Sequence, residues 1–122
     1  MNKEFFPKDN LHPLQLTSAD IILRQQLENS ISCYFYNACD RIIQKLLSSC
    51  RWYILSHANA LTLVVECPDQ ITNWRVLQQI VPMAAILGDI ISSAKIRVCP
   101  PKKQGLPFEM RVDELAVYRD RA

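Results

Sequence analysis

From Asp20 to Leu47 the apolar residues Leu23, Leu27, Ile31, Tyr34, Ala38, Ile42 and Leu46 recur at intervals of three and four, the spacing of an amphipathic helix. Thr17 or Ser18 stands where an N-cap is needed. This stretch is long for one globular helix, and NSISC at 29–33 gathers weak helix formers, so the reading is a helix pair broken near Asn29 or Ser30. After Cys50 the period falls to two. Trp52, Ile54 and Ser56 alternate with Tyr53, Leu55 and His57; beyond HANA, Leu61, Leu63, Val65 and Cys67 alternate with Thr62, Val64 and Glu66. That pattern predicts a β-hairpin, with Asn59 suited to the turn and Pro68 ending the second strand.

Asp69 then caps a second helical pattern, Ile71, Trp74, Leu77, Val81, Ala84 and Leu87, for which Gly88 is the expected C-cap. Pro82 lacks an N–H and crowds the carbonyl four residues back, so a kink or a junction of two helices is expected within a turn of it. In AKIRVCP, Ile96 and Val98 oppose Lys95, Arg97 and Cys99, a strand stopped by Pro100 and Pro101. If it joins the hairpin, its basic residues lie on the open face of a sheet whose other face the helices cover. Residues 108–118 fit an edge strand or a terminal helix equally. The order of elements predicts an α+β domain over 18–99, preceded by an apolar arm at 1–17 and followed by a basic loop and extension at 100–122.

Length and composition fit that picture: 122 residues, 49% of them hydrophobic and 21% charged, are enough for one folded core and exclude a disordered or fibrous chain. The start MNKEFFPKDN has no apolar stretch behind its lysine, so neither a secretory leader nor a membrane span is expected, and the expected location is the cytoplasm. Net charge is only +2, but residues 92–122 hold seven basic and four acidic groups. Lys95, Arg97, Lys102 and Lys103 are therefore the candidate contacts for phosphate or for an acidic protein surface. Tyr34, Phe35 and Tyr36 sweep about 200° of a helix and cannot all face one core. Tyr36, with Tyr53 on the hairpin, is accordingly a candidate partner contact.

Five cysteines without a CxxC match neither a disulfide framework nor a zinc site, and Cys33, Cys39, Cys50, Cys67 and Cys99 all read as core or near-core thiols. A metal site would need His12 or His57 to converge with distant thiols, so no metal or cofactor is predicted. Cys50, His57 and Asp69 can be written as a catalytic grouping, yet no motif for phosphate binding, zinc proteolysis or an activated serine accompanies them. The chain reads as non-enzymatic. Trp52 and Trp74 both lie on apolar periodicities and are expected in or near the core.

Trp52 at the opening of the hairpin, the strand LTLVVEC, Trp74 and Leu77 in NWRVLQQIV, and IRV returning after ILGDIISSAK together resemble the DUF721 family over residues 33–99. That family includes a bacterial replicative-helicase loader, and its conserved domain is similar to a KH domain. The helix, hairpin, helix order is also similar to the amino-terminal domain of the replication initiator DnaA. The DUF721 resemblance implies docking to a replicative helicase, with weak nucleic-acid contact, and transfers no catalytic residue. The GXXG loop by which KH domains clamp a nucleic-acid backbone is absent, and HANALTL lacks the glycine that family members commonly carry before the second strand. The alternative reading is a homodimeric regulatory or scaffold protein with no nucleic-acid role.

Overall fold

The computed structural model describes residues 17–57, 60–102 and 104–114. Helix α1 (Ser18–Ala38) opens with a capping box, in which the Thr17 hydroxyl accepts from the Asp20 N–H and the Asp20 carboxylate accepts from the Thr17 N–H. The chain breaks at Cys39 and Asp40, ten residues later than Asn29. Ser32, within the weak segment, is helical and donates its hydroxyl to the Glu28 carbonyl at 2.7 Å. Asp40, by contrast, has the extended backbone of a cap and accepts from the Ile43 N–H at 2.9 Å, starting α2 (Arg41–Ser48). Gln44 of α2 reaches back and donates its side-chain amide to the Tyr36 carbonyl at 2.8 Å, which fixes the corner.

Ile31 is buried as predicted, but beyond it the buried stripe is displaced by one residue from the predicted face. Ile31, Phe35, Cys39, Ile43 and Leu47 are buried, while Leu23, Leu27, Tyr34 and Ile42 are exposed. The hairpin is as expected, with β1 (Arg51–His57) paired antiparallel to β2 (Ala60–Glu66) from Arg51 opposite Glu66 to His57 opposite Ala60. Its turn, at 58 and 59, lies outside the described residues. Asp69 caps α3 (Gln70–Gln78) by accepting from the Thr72 N–H at 2.7 Å. A new helix, α4 (Ile80–Ile90), begins at Gln79, so Pro82 falls in a first turn, where its missing N–H breaks no helical bond. Gly88 is no C-cap, because α4 runs two residues past it; its Cα faces Val112 instead.

Strand β3 (Lys95–Cys99) lies parallel to β2 and antiparallel to β4 (Phe108–Arg111), giving one mixed sheet in the order β1-β2-β3-β4. The fold is α+β. Of the two open readings for the C-terminal stretch, 108–111 is an edge strand and 112–114 begins a helical turn; the rest lies outside the described residues. Leu63, Val65, Ile96 and Val98 on one sheet face meet Phe35, Ile43, Leu47, Val76, Met83 and Leu87 from the helices, and all ten are essentially solvent-free. Trp52 packs edge-on against Phe35 and is half-buried, near the core as predicted.

Candidate interaction surfaces

Alternation along the strands sets Arg51, Tyr53, Glu66, Lys95, Arg97, Glu109 and Arg111 on the sheet face that the helices leave open. The register makes Tyr53, Val64, Arg97 and Glu109 one row across all four strands. Val64 is buried there beside Tyr53 and Arg97. The cations of this face are largely partnered. Arg97 donates to Glu109 at 2.9 Å, Arg111 to Asp113 at 2.6 Å, and Arg51 lies 3.8 Å from Glu66. Tyr53 donates its hydroxyl to Glu66 at 2.9 Å, and that bond to a carboxylate raises its pKa above the usual phenol value.

Lys95, at the start of β3, borders a shallow hollow shared with Glu109, Met110, Arg111 and Glu114. Lys102 is exposed in the turn beyond the other end of β3, about 13 Å of strand away. Lys103 lies outside the described residues. The predicted cations thus do not form one cluster, and one of them, Arg97, is offset by a carboxylate in the next strand. Tyr36 is on the opposite side of the sheet, half-buried and stacked on Trp52 with ring centroids 5.9 Å apart, its hydroxyl 3.1 Å from Ser48 Oγ. Tyr36 thereby serves packing, and Tyr34 is the aromatic of the three that faces solvent. Tyr36 and Trp52 floor a shallow groove of about 420 Å³ edged by Cys33 and Asn37.

The written grouping of Cys50, His57 and Asp69 does not assemble. Cys50 and Asp69 are at the open end of the hairpin and His57 at its turn, roughly 20 Å along β1. Cys50 meets Cys67 across that open end, and burial, ahead of every other cause, pushes the Cys67 thiol up to about 12 and raises that of Cys50. Such thiols are packing groups rather than nucleophiles. Cys39 and Cys67 are buried and Cys50 and Cys99 half-buried, but Cys33 is exposed, because it lies on the side of α1 opposite the buried Ile31, Phe35 and Cys39. Among the described residues no group of three or more His, Cys, Asp or Glu side chains is placed to hold a metal ion, and no helix is long and apolar enough to cross a membrane.

On α3 and α4 the sequence pattern misplaced Ile71, Trp74 and Val81, which are exposed, and Trp74 is the largest of them. It is 63% exposed, and Ile71, one turn before it, is 67% exposed. α3 buries Val76 and half-buries Leu77 and Asn73 on its other side, so Ile71 and Trp74 point away from the sheet. No family model, no curated protein and no solved structure matches this chain. What the molecule does must therefore be read from these faces.

The first half of α1 is a second exposed apolar feature. Ile21, Ile22, Leu23 and Leu27 are each about half-exposed. Further along, Glu28 turns to β1, where its carboxylate accepts from the Ser56 N–H at 2.7 Å and the Ser56 hydroxyl at 2.9 Å. That contact occupies one of the outward donors of the β1 edge, which limits strand-to-strand pairing there.

Proposed function

We propose that this chain is a non-enzymatic docking module, acting in the cytoplasm, that binds another protein through the outer face of α3. The observation that carries the reading is the exposure of Trp74 beside Ile71. A tryptophan left in water on the outer side of a helix that packs on the sheet through its other side is the type of side chain that anchors interfaces once a partner desolvates it. The resemblance to the DUF721 family supports a replicative helicase as the partner. Weak nucleic-acid contact through Lys95, Arg97, Lys102 and Lys103 belongs to the same proposal, with Arg97 the least available because Glu109 holds it.

The test is capture of purified replicative helicase by immobilised chain, with and without nuclease, comparing wild type with Trp74→Ala. Nuclease-resistant capture that Trp74→Ala abolishes is the expected result; capture that disappears with nuclease refutes direct protein docking. A homodimeric scaffold is the second reading, favoured by Ile21, Ile22, Leu23 and Leu27 on α1. Light scattering during gel filtration distinguishes it: a dimer dissociated by Leu23→Glu with Leu27→Glu supports that reading, and a monomer at all concentrations removes it.

A further inference from the structure

The surface around Trp74 carries a charge pattern that the open sheet face lacks. Helices α2 and α3 pack side by side, α2 against β1 and α3 against β3. Each buries the side toward the sheet, so their outer sides point the same way. At 100° per residue, Arg41, Ile42 and Lys45 fall within one 100° arc of α2, and Ile71, Trp74 and Arg75 within a similar arc of α3. All six are exposed. Ile42 on α2 and the Ile71–Trp74 strip on α3 therefore share the outer side, flanked by three cations.

Among the described residues none of Arg41, Lys45 and Arg75 is held in an ion pair, although the Arg75 charge acts on the Asp69 carboxylate. Arg51, Arg97 and Arg111 on the sheet face, by contrast, each have one. The carboxylates on these two helical segments are Asp40 and Asp69, and each is engaged as a helix cap. The hydrogen bonds from Thr72 hold the Asp69 carboxyl below its ordinary range.

We propose that this outer face docks an acidic amphipathic helix of a partner protein, whose apolar side chains cover Trp74, Ile71 and Ile42 and whose carboxylates meet Arg41, Lys45 and Arg75. The inference rests on the docking reading above and names the chemistry of the partner. Charge decides between occupants. A second copy meeting the same face across a two-fold axis would set cations against cations over an apolar centre. A nucleic-acid strand would answer the cations but leave the branched side chains of Ile42 and Ile71 against phosphate. An acidic amphipathic helix satisfies both parts, its apolar stripe covering Trp74 and the isoleucines and its carboxylates meeting the cations.

The experiment is selection from a displayed library of peptides about 16 residues long, roughly four helical turns, on the full chain, with counter-selection on Trp74→Ala. Thermal unfolding of that variant confirms that it is folded. Enriched peptides are expected to have apolar residues at i, i+3 or i+4 and i+7 with net negative charge, and to bind Trp74→Ala about tenfold or more weakly. A Lys45→Glu, Arg75→Glu chain should lose the acidic peptides and gain their lysine-substituted counterparts. Enrichment of neutral or basic peptides overturns the inference, as does displacement of the peptide by a single-stranded oligonucleotide or Trp74-dependent self-association. Helicase capture that depends on Trp74 while no acidic peptide is enriched overturns this inference and leaves the docking reading intact.

Discussion

Glu28→Ala removes a carboxylate that joins α1 to the outer edge of β1 through two hydrogen bonds, one to the Ser56 N–H at 2.7 Å and one to its hydroxyl at 2.9 Å. Bonds to a charged acceptor contribute about 1.5–3 kcal/mol each when shielded, and about 1 kcal/mol each applies where, as here, Glu28 is only half-buried. Alanine returns a few tenths of a kcal/mol through helix propensity. The expected loss is about 2 kcal/mol, or roughly 8 °C in Tm for a domain of this size. Ser56→Ala removes only the hydroxyl bond and should cost about 1 kcal/mol. In the double variant the hydroxyl bond is lost once rather than twice, so the coupling energy from urea unfolding should be about 1 kcal/mol. Hydrogen exchange at the Ser56 amide should accelerate in Glu28→Ala and not in Ser56→Ala. Additive losses, or a Glu28→Ala cost under about 0.5 kcal/mol, would show that the carboxylate does not hold the strand edge.

Phe35→Ala should cost about 3–5 kcal/mol in chemical unfolding while the neighbouring Tyr34→Ala costs under about 0.5 kcal/mol, since Phe35 is solvent-free and Tyr34 is 68% exposed; equal losses would refute the displaced stripe. Gly88→Ala should stabilise by about 0.5–1 kcal/mol, because Gly88 lies inside α4 and an added Cβ meets Val112 at an ordinary 3.8 Å. Burial raises the Cys39 thiol to about 11 and the Cys67 thiol to about 12 from 9.0. The unfolded chain therefore loses these protons first, and the linked stability is complete below pH 9 and falls as pH climbs toward 11–12. Cys67→Ala should flatten that decline in urea midpoints measured from about pH 8 to 10.5. Any nucleic-acid binding should show a slope of log affinity against log salt near −2 to −4 by anisotropy, weakened equally for unrelated oligonucleotides by Lys102→Glu with Lys103→Glu.

The elements that a local pattern can specify were legible in the sequence: the hairpin, the caps at Thr17 and Asp69, the separate strand at Lys95–Cys99 and the helix junction near Pro82. The face of the first helices was not. Tyr34 and Phe35, Ile42 and Ile43, and Leu46 and Leu47 are adjacent apolar pairs, so two stripes one residue apart fit the spacing about equally. The choice is made by tertiary contact, where Phe35 meets Trp52 from a strand that begins 16 residues later. Trp74 misleads for the same reason, because α3 has apolar residues on both sides and only the sheet selects Val76 as the buried one. Alternation sufficed to put Lys95 and Arg97 on the open face. That Glu109 stands opposite Arg97 depends on the β3–β4 register, which no local spacing encodes.

The parallel pairing of β2 with β3 has a kinetic consequence. The β1–β2 hairpin closes over two residues, and β3–β4 over the short loop from 100 to 107, so each half of the sheet can assemble on the microsecond scale of local hairpins. The seam between them, Thr62 opposite Lys95 through Glu66 opposite Cys99, closes only after the chain has ordered α3 and α4 in between. Loop entropy makes that step the slow one. Substitutions on the two sides of the seam, at Val65 and Val98, should therefore slow refolding, whereas those at the periphery of α1 should act mainly by hastening unfolding.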